Sequence, residues 1–573
     1  MKTKKTILLK GTGTAPGIGI GDLWRIEECP AAYTPRQVTD TRAEKQRFQQ
    51  AAAAFCENTE RQAQALQATA GKEQADILRE HITIVQDPFL QSETDKQIAS
   101  GQCAEAAVEA VCDRFIALFS AAGDELTEQR SADVRDVKTG LLRQLLGMSE
   151  VSLKNVPENT VLCVKEMTPS MMAGLNREHI AGILTETGSK ASHSAILAKV
   201  MGIPAVMGIP DLMASACSGT AVLLDGDTGE VILSPDEEQQ QQYRARRETL
   251  RREYAERELF RGKPTVSADG TVYELVCNIG NPQEAALAIE NDGEGVGLFR
   301  TEFLFMNQTS LPTEEEQFRA YQKAALLLHG KPLVIRTLDI GGDKDIPYLG
   351  LAKEDNPFMG FRAIRYCLHH RDLFRTQIRA ILRASAFGKV RIMFPLITCV
   401  EEVRQGKALV EECQSELRTQ GIAFDEAIPV GIMAETAAAG MIADWLAEEA
   451  DFFSIGTNDL TGYTMAADRG NRNVADWYSV LQPSVLRMIQ AIIRAGKNHH
   501  IPVGMCGEAA GDPMLIPLLI SFGLTEFSVS PPDVLRVRKT IARWTKPQAD
   551  EVTAKVMSLP TQQEIKEYLQ NTI

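Results

Sequence analysis

The chain lacks any paired-cysteine spacing. Its 11 cysteines are scattered from Cys29 to Cys506 without one C-x-x-C, and their number is odd. That excludes a disulfide framework and a zinc-finger ligand set, and it favours a reducing compartment. Long apolar runs are missing too. Only Ile7-Leu8-Leu9 follows the charged start before Lys10, too short for the core of a signal peptide. The most apolar later stretch, Met514 to Leu524, is too short to span a bilayer and carries Pro517. A cytoplasmic protein without a membrane segment is expected. Basic charge is not in excess either: 61 Lys and Arg stand against 76 Asp and Glu, a net −15. Bulk attraction to nucleic acid or anionic lipid is therefore not expected, whereas an acidic surface suits a small basic protein partner. What remains is ordinary globular composition, 44% hydrophobic and 24% charged over 573 residues. At ~100–200 residues per domain, that length implies about three or four domains.

Residues 11–21 alternate glycine with small apolar residues. No strand–turn–helix unit with a later acidic residue follows, so a tight strand entry is the better reading than a dinucleotide fingerprint. Thr41 to Ala70 and Gln102 to Gly123 are long runs rich in Ala, Gln, Glu, Arg and Leu, which predict a helical bundle. From Thr160 the pattern turns to short β-rich runs, Thr160–Val164, Ile180–Leu184, Ala205–Met207, Thr220–Leu224 and Glu230–Leu233. Because the glycine-rich start also reads as strand, the bundle is expected as an insert in a small α/β unit. The polar segment 236–261, with four glutamines at Gln239–Gln242, reads as a solvated helix, either a linker or a plain surface helix. Beyond it, eight apolar runs alternate with helix-length segments: Val272–Cys277, Gly295–Leu298, Leu333–Thr337, Arg391–Pro395, Pro429–Met433, Phe452–Ile455, Pro502–Met505 and Glu526–Val529. A closed (β/α)8 barrel accounts for them, with an open doubly wound sheet as the alternative. The fold class is thus α/β, a C-terminal (β/α)8 barrel plus an N-terminal α/β domain with an inserted helical bundle. The expected division is 1–30 with 148–235, 31–147, 236–261 and 262–573.

In such a barrel the chemistry collects where the strands finish. Arg300, Arg336, Glu435, Asn458, Asp459, Cys506 and Glu508 all fall there. Glu435 and Asp459 could hold a hard divalent ion, and magnesium suits one or two carboxylates completed by substrate oxygens. Arg300, Arg336, Arg362 and Arg469 would then converge on an anion, since guanidinium forks match phosphate and carboxylate. Singly, an arginine at a strand end is more often an ion-pair partner, and a lone cysteine is usually a small buried hydrophobe. Joint placement on one rim favours function. A second constellation is Gly188-Ser-Lys-Ala-Ser-His193-Ser-Ala-Ile-Leu-Ala198. A helix beginning just after His193 would stabilise an anion on the imidazole, whose neutral form is a good nucleophile near pH 7.

Long motifs then carry a resemblance. They are Asp451-Phe-Phe-Ser-Ile-Gly-Thr-Asn-Asp-Leu-Thr-Gly-Tyr-Thr-Met-Ala-Ala-Asp-Arg-Gly-Asn471, Gly297-Leu-Phe-Arg-Thr-Glu-Phe-Leu304, Arg336-Thr-Leu-Asp-Ile-Gly-Gly-Asp-Lys344, Gly504-Met-Cys-Gly-Glu508 and Ala132-Asp-Val-Arg-Asp136. Over nearly its whole length the chain resembles enzyme I of the bacterial phosphoenolpyruvate-dependent sugar phosphotransferase system. The resemblance implies a phosphoenolpyruvate–protein phosphotransferase in which His193 is phosphorylated and hands its phosphoryl group to the carrier HPr. Arg300, Arg336 and Arg469 would bind the substrate phosphate, with Arg362, Lys344 and Asn458 also on substrate. Glu435 and Asp459 would hold Mg2+, and Cys506 would donate a proton. Thr168 would orient the imidazole, the helical insert would dock HPr, and the barrel would form a homodimer. Where the family has Gly-Gly-Arg-Thr-Ser-His, this chain has Ser189, Lys190 and Ala191 in place of the second Gly, the Arg and the Thr. Lysine keeps the charge and loses the fork. Related dikinases and synthases need a large ATP-binding domain, for which an insert of about 110 residues is too small and too helical. A binding protein that has lost catalysis is the other class to be separated by experiment.

Overall fold

The computed structural model describes residues 6–27, 31–122, 125–148, 153, 156–190, 192–306, 308, 310–341 and 346–573. They divide into two compact units, Met1–Tyr254 and Ala255–Ile573.

In the first unit β1 (Ile7–Lys10), β2 (Thr12–Ala15), β3 (Ile18–Arg25), β4 (Thr160–Val164), β5 (Ile180–Thr185), β6 (Ala205–Met207), β7 (Ala221–Asp225) and β8 (Glu230–Leu233) form one mixed sheet. Its order is β1-β8-β7-β3-β4-β5-β6-β2. β1 and β2 occupy opposite edges although only Gly11 separates them, so the sheet has to curl until its edges nearly meet. Backbones pass very close there: a Cβ on Gly13 would lie 2.4 Å from the carbonyl oxygen of Gly226, and one on Gly226 1.9 Å from that of Ala15. The glycine-rich opening serves this close approach.

β3 and β4 are parallel neighbours, paired from Asp22↔Thr160 to Arg25↔Cys163. Parallel neighbours need a crossover, and this one holds the helices Thr41–Ala70, Lys72–Gln86, Pro88–Ala99, Ala104–Ala122 and Glu125–Leu145. Their ends are written locally. Asp40 caps the first by accepting from the N–H of Ala43, and Asp87, before Pro88, accepts from Phe89 and Leu90. The bundle has its own core around Phe48, Phe55, Val108 and Leu141. A second core joins Leu66 and Leu78 of the first two helices to Leu162 and Ile183 of the sheet and Leu197 of the helix His193–Val200. That shared core sets the insert beside His193. The helix Glu237–Glu258 is polar, with only Tyr243 buried among its described residues, and the boundary between the units falls inside it.

The second unit closes a barrel of eight parallel strands: β9 (Glu274–Ile279), β10 (Val296–Phe299), β11 (Pro332–Arg336), β12 (Lys389–Phe394), β13 (Val430–Ala434), β14 (Phe453–Ile455), β15 (Val503–Met505) and β16 (Glu526–Val529). β16 pairs with β9 from Glu526↔Glu274 to Val529↔Cys277, which rules out the open sheet. The eight runs expected as strands are strands, within two residues at each end. They are short and apolar because both faces are covered. Val334, Met393 and Met433 fill the interior, while their neighbours Ile335, Ile392 and Ile432 pack outward against the helices.

Candidate active site

The strand ends of the barrel gather most of the expected residues. Arg336 ends β11 with its guanidinium buried, 3.0 Å from Glu302 and 2.9 Å from Asp339. Arg362, just before the helix Ala363–His369, donates to the other oxygen of Asp339 at 2.6 Å and lies over the ring of Phe358. Asp339 thus yokes the two arginines. Burial works to lower their pKa values, but Asp339 on both, and Glu302 on Arg336, hold them above the ordinary range. Nε of Arg336 and both Nε and Nη1 of Arg362 are buried with no acceptor among the described residues. Buried donors left in this state call for a ligand, and an anion is the matching one.

Glu435 follows β13 and is 2% exposed. Its Oε1 accepts from the N–H of Leu396 at 2.6 Å. Leu396 adopts φ +56°, a strained conformation for its residue type. Burial first, then the charges of Asp459 and Asp339, push the Glu435 carboxyl well above its usual range against the opposing pull of Arg336. A buried carboxylate beside Asp459 is a hard-oxygen pair that a divalent cation would relieve, so these residues fit Mg2+. Among the described residues no group of three or more His, Cys, Asp or Glu is arranged for a metal. Two carboxylates leave the remaining positions to other oxygens.

Cys506 follows β15 and is buried, its thiol pushed up to about 11. Burial is the main cause. Ser454, Arg336 and Arg300 pull the other way, and Glu435 adds to the rise. The thiol is therefore protonated at neutral pH. Arg300, directly after β10, is exposed. Asn458 and Asp459 sit in the first turn of the helix Thr457–Met465, and Nδ2 of Asn458 is 3.4 Å from Glu508. Both line a cavity of about 360 Å³ together with Phe358, Tyr463, Arg469 and Tyr478. Arg469 is exposed at its edge. Lys344 lies outside the described residues.

In the first unit His193 opens its helix, capped by Ser192, whose Oγ accepts from the N–H of Ala195. The expectation that the helix starts just after His193 is off by one residue. His193 lines a cavity of about 370 Å³ with Thr168, Glu166, Arg135 and Asp133. Its Nδ1 is 3.2 Å from Oδ1 of Asp133. Burial raises the Asp133 carboxyl, but the hydrogen bond from His193 and the neighbouring His81 outweigh it and leave the pKa below the ordinary value. An ionised carboxylate only accepts, so the neutral ring of His193 has its hydrogen on Nδ1 and the lone pair on Nε2. Thr168 lines the same cavity. Its hydroxyl caps the helix Pro169–Ala173 by accepting from Met171, while Asp133 partners Nδ1 of the ring.

Known proteins match this sequence along nearly the whole chain. The description "PEP-utilising enzyme, PEP-binding domain" fits residues 254–546, "PEP-utilising enzyme, N-terminal" residues 10–130, and "PEP-utilising enzyme, mobile domain" residues 156–229. Phosphoenolpyruvate-protein phosphotransferases of Bacillus sp. (strain S) and Geobacillus stearothermophilus are each 42% identical over 99% of this chain and 98% of their own. That of Bacillus subtilis (strain 168) is 40% identical over 98% of this chain and 99% of its own. The chain belongs to the phosphoenolpyruvate-protein phosphotransferases. As a member of that family it is an enzyme, and no helix among its described residues is long and apolar enough to cross a membrane.

Three residues of this phosphotransferase carry more of the site than its sequence suggested. Asp339 and Glu302 were visible only as parts of longer motifs; the Glu302–Arg336 pair needed the ends of β10 and β11 brought together, and the Asp339–Arg362 pair a long loop folded back on itself. Asp133 lies 60 positions from His193, on a helix of the insert. The motif Ala132 to Asp136 was its one signal.

Proposed function

We propose that the chain takes the phosphoryl group of phosphoenolpyruvate onto Nε2 of His193 and passes it to a histidine of the carrier HPr, releasing pyruvate. The observation that carries this reading is the set of buried arginine donors without acceptors among the described residues, at strand ends shared with Glu435 and Cys506. Arg300, Arg336 and Arg469 bind the phosphate, and Arg362, Lys344 and Asn458 complete the grip on the substrate. Glu435 and Asp459 hold Mg2+, which when bound neutralises phosphate charge. The lone pair on Nε2 forms the N–P bond as the P–O bond to the enol oxygen breaks. Cys506 then gives its proton to the enolate carbon, producing pyruvate.

The bundle is the proposed HPr dock. A cleft of about 380 Å³ is lined by Ile84, Leu90, Phe115 and Phe119, with Asp87 and the ion pair Glu80–Arg130 beside them. Apolar anchors with a charged rim suit a protein partner. The proposal assigns roles to the expected segments: 1–30 with 148–235 bears His193, 31–147 receives the carrier, 236–261 links, and 262–573 binds substrate and pairs two copies. Transfer requires His193 to be brought to the strand ends and later released, and the polar helix Glu237–Glu258 is the segment whose bending would permit it. A cytoplasmic setting fits the ten described cysteines, all of them unpaired.

Incubation with 32P-labelled phosphoenolpyruvate and Mg2+ tests this. Label on the wild type, absent from His193→Ala and chased by added HPr, is the expected result. A wild type that takes no label would leave only a binding protein.

A further inference from the structure

His81, on the helix Lys72–Gln86, is 0% exposed and lies between two carboxylates. Its Nε2 is 3.5 Å from Oδ1 of Asp133, and its Nδ1 is 3.8 Å from Oδ2 of Asp136. Neither nitrogen makes a hydrogen bond to the described residues, so the attraction is coulombic. Asp136 is anchored from its far side by the hydroxyl of Ser170 at 2.9 Å. The ionisable groups that act on His81 are Asp133 and Asp136 from the helix Glu125–Leu145 and Glu80 from its own. Burial favours the neutral ring, but these carboxylates outweigh it and raise the pKa above its ordinary value. Carboxylates facing both nitrogens can only accept, which selects the doubly protonated ring. The same oxygen of Asp133 that faces His81 also meets Nδ1 of His193.

A buried carboxylate is costly unless it is paired, and His193 alone is a poor counter-ion because it has to stay neutral to attack phosphorus. The charge that keeps Asp133 ionised must come from elsewhere. We propose that His81 is a positioning residue for phosphoryl transfer: it holds Asp133 as an acceptor against Nδ1 of His193 and so leaves Nε2 free. The inference rests on His193 being the phosphorylated residue. Without His81, Asp133 gains by taking a proton or turning away, and His193 then samples the tautomer with hydrogen on Nε2, which cannot attack.

The test uses the full chain with 15N-labelled histidine. In the wild type the His193 ring nitrogens should report hydrogen on Nδ1. His81→Gln should shift His193 toward the Nε2–H form and slow its single-turnover phosphorylation about tenfold, with KM for phosphoenolpyruvate unchanged. A folded His81→Gln with the wild-type tautomer and a rate within about twofold of wild type overturns the proposal. Should that variant not fold, Asp136→Asn removes one carboxylate from His81 and leaves Asp133 and His193 intact. The same tautomer shift supports the proposal there, and an unchanged tautomer overturns it. A wild type that takes no phosphate would defeat the assignment of His193 instead, while the tautomer measurement would still judge His81.

Discussion

Asp339 shows how a single carboxylate can organise two cationic donors. It meets Arg336 at 2.9 Å and Arg362 at 2.6 Å, and each arginine retains buried donors with no acceptor among the described residues. Asp339→Asn should loosen both forks and raise KM for phosphoenolpyruvate about tenfold or more, read in a coupled pyruvate assay, with far-UV circular dichroism unchanged. Cys506 allows a cleaner separation of steps. With its thiol at about 11, proton donation should not fade between pH 6 and 9. Cys506→Ala should slow pyruvate formation about a hundredfold while His193 still accepts label. Glycine matters beside Cys506. A Cβ on Gly507 would fall 1.8 Å from the hydroxyl of Thr457, so the turn that carries Cys506 tolerates no larger residue.

Helices around the barrel are held partly by charge laid out at helical spacing. Arg371, Arg375, Arg379 and Arg383 recur every four residues on the helix Arg371–Ser385, which places them on one face. They reach Glu412 and Glu416 on the helix Val400–Thr419 and Glu314 and Glu315 on the helix Glu314–Leu327. Arg379 is the centre, 2.7 Å from Glu314 and 3.0 Å from Glu416. An isolated surface pair is worth little, but a shared and half-buried one is worth more. Arg379→Met should cost about 1 kcal/mol in a denaturant titration, less in high salt. The spacing of the arginines was visible in sequence. Their acidic partners, about 40–70 positions away, were not, because only packing of the helices against β11 and β12 makes them neighbours.

The two compact units should answer separately to solution conditions. Glu526 starts β16, at the end of the barrel away from the site, with Arg391 at 3.7 Å. Burial raises its carboxyl to about 7, helped by Glu274 and opposed by Arg391. A carboxyl that holds its proton more tightly when folded stabilises at low pH. That contribution is complete below about 4.5 and is lost as pH rises through about 7. Glu526→Gln should flatten this decline, which amounts to ~2–3 kcal/mol, in the calorimetric transition of the barrel alone. In His193→Ala, which has no imidazole to phosphorylate, Mg2+ with phosphoenolpyruvate should raise the same transition, by about 2.7 kcal/mol at a hundred times Kd, and leave the transition of the other unit where it was.

The strands of both units, the helical insert and the residues at the strand ends were readable from the chain alone, because hydrophobic period, capping and turn chemistry are local. The glycines from Gly11 to Gly21 announced close backbone approach for the same reason. Who meets whom was decided by the tertiary fold. Thr168 was the expected neighbour of His193, and Asp133, 60 positions away, is its partner at Nδ1 as well, because the insert and the sheet share a core. Arg362 was expected on an anion and is also tied to Asp339, a pairing that exists only once β11 and the loop after it close over one end of the barrel. Electrostatic partnership falls off with distance in space and is indifferent to separation along the chain, so it is the part of a protein that a sequence states last.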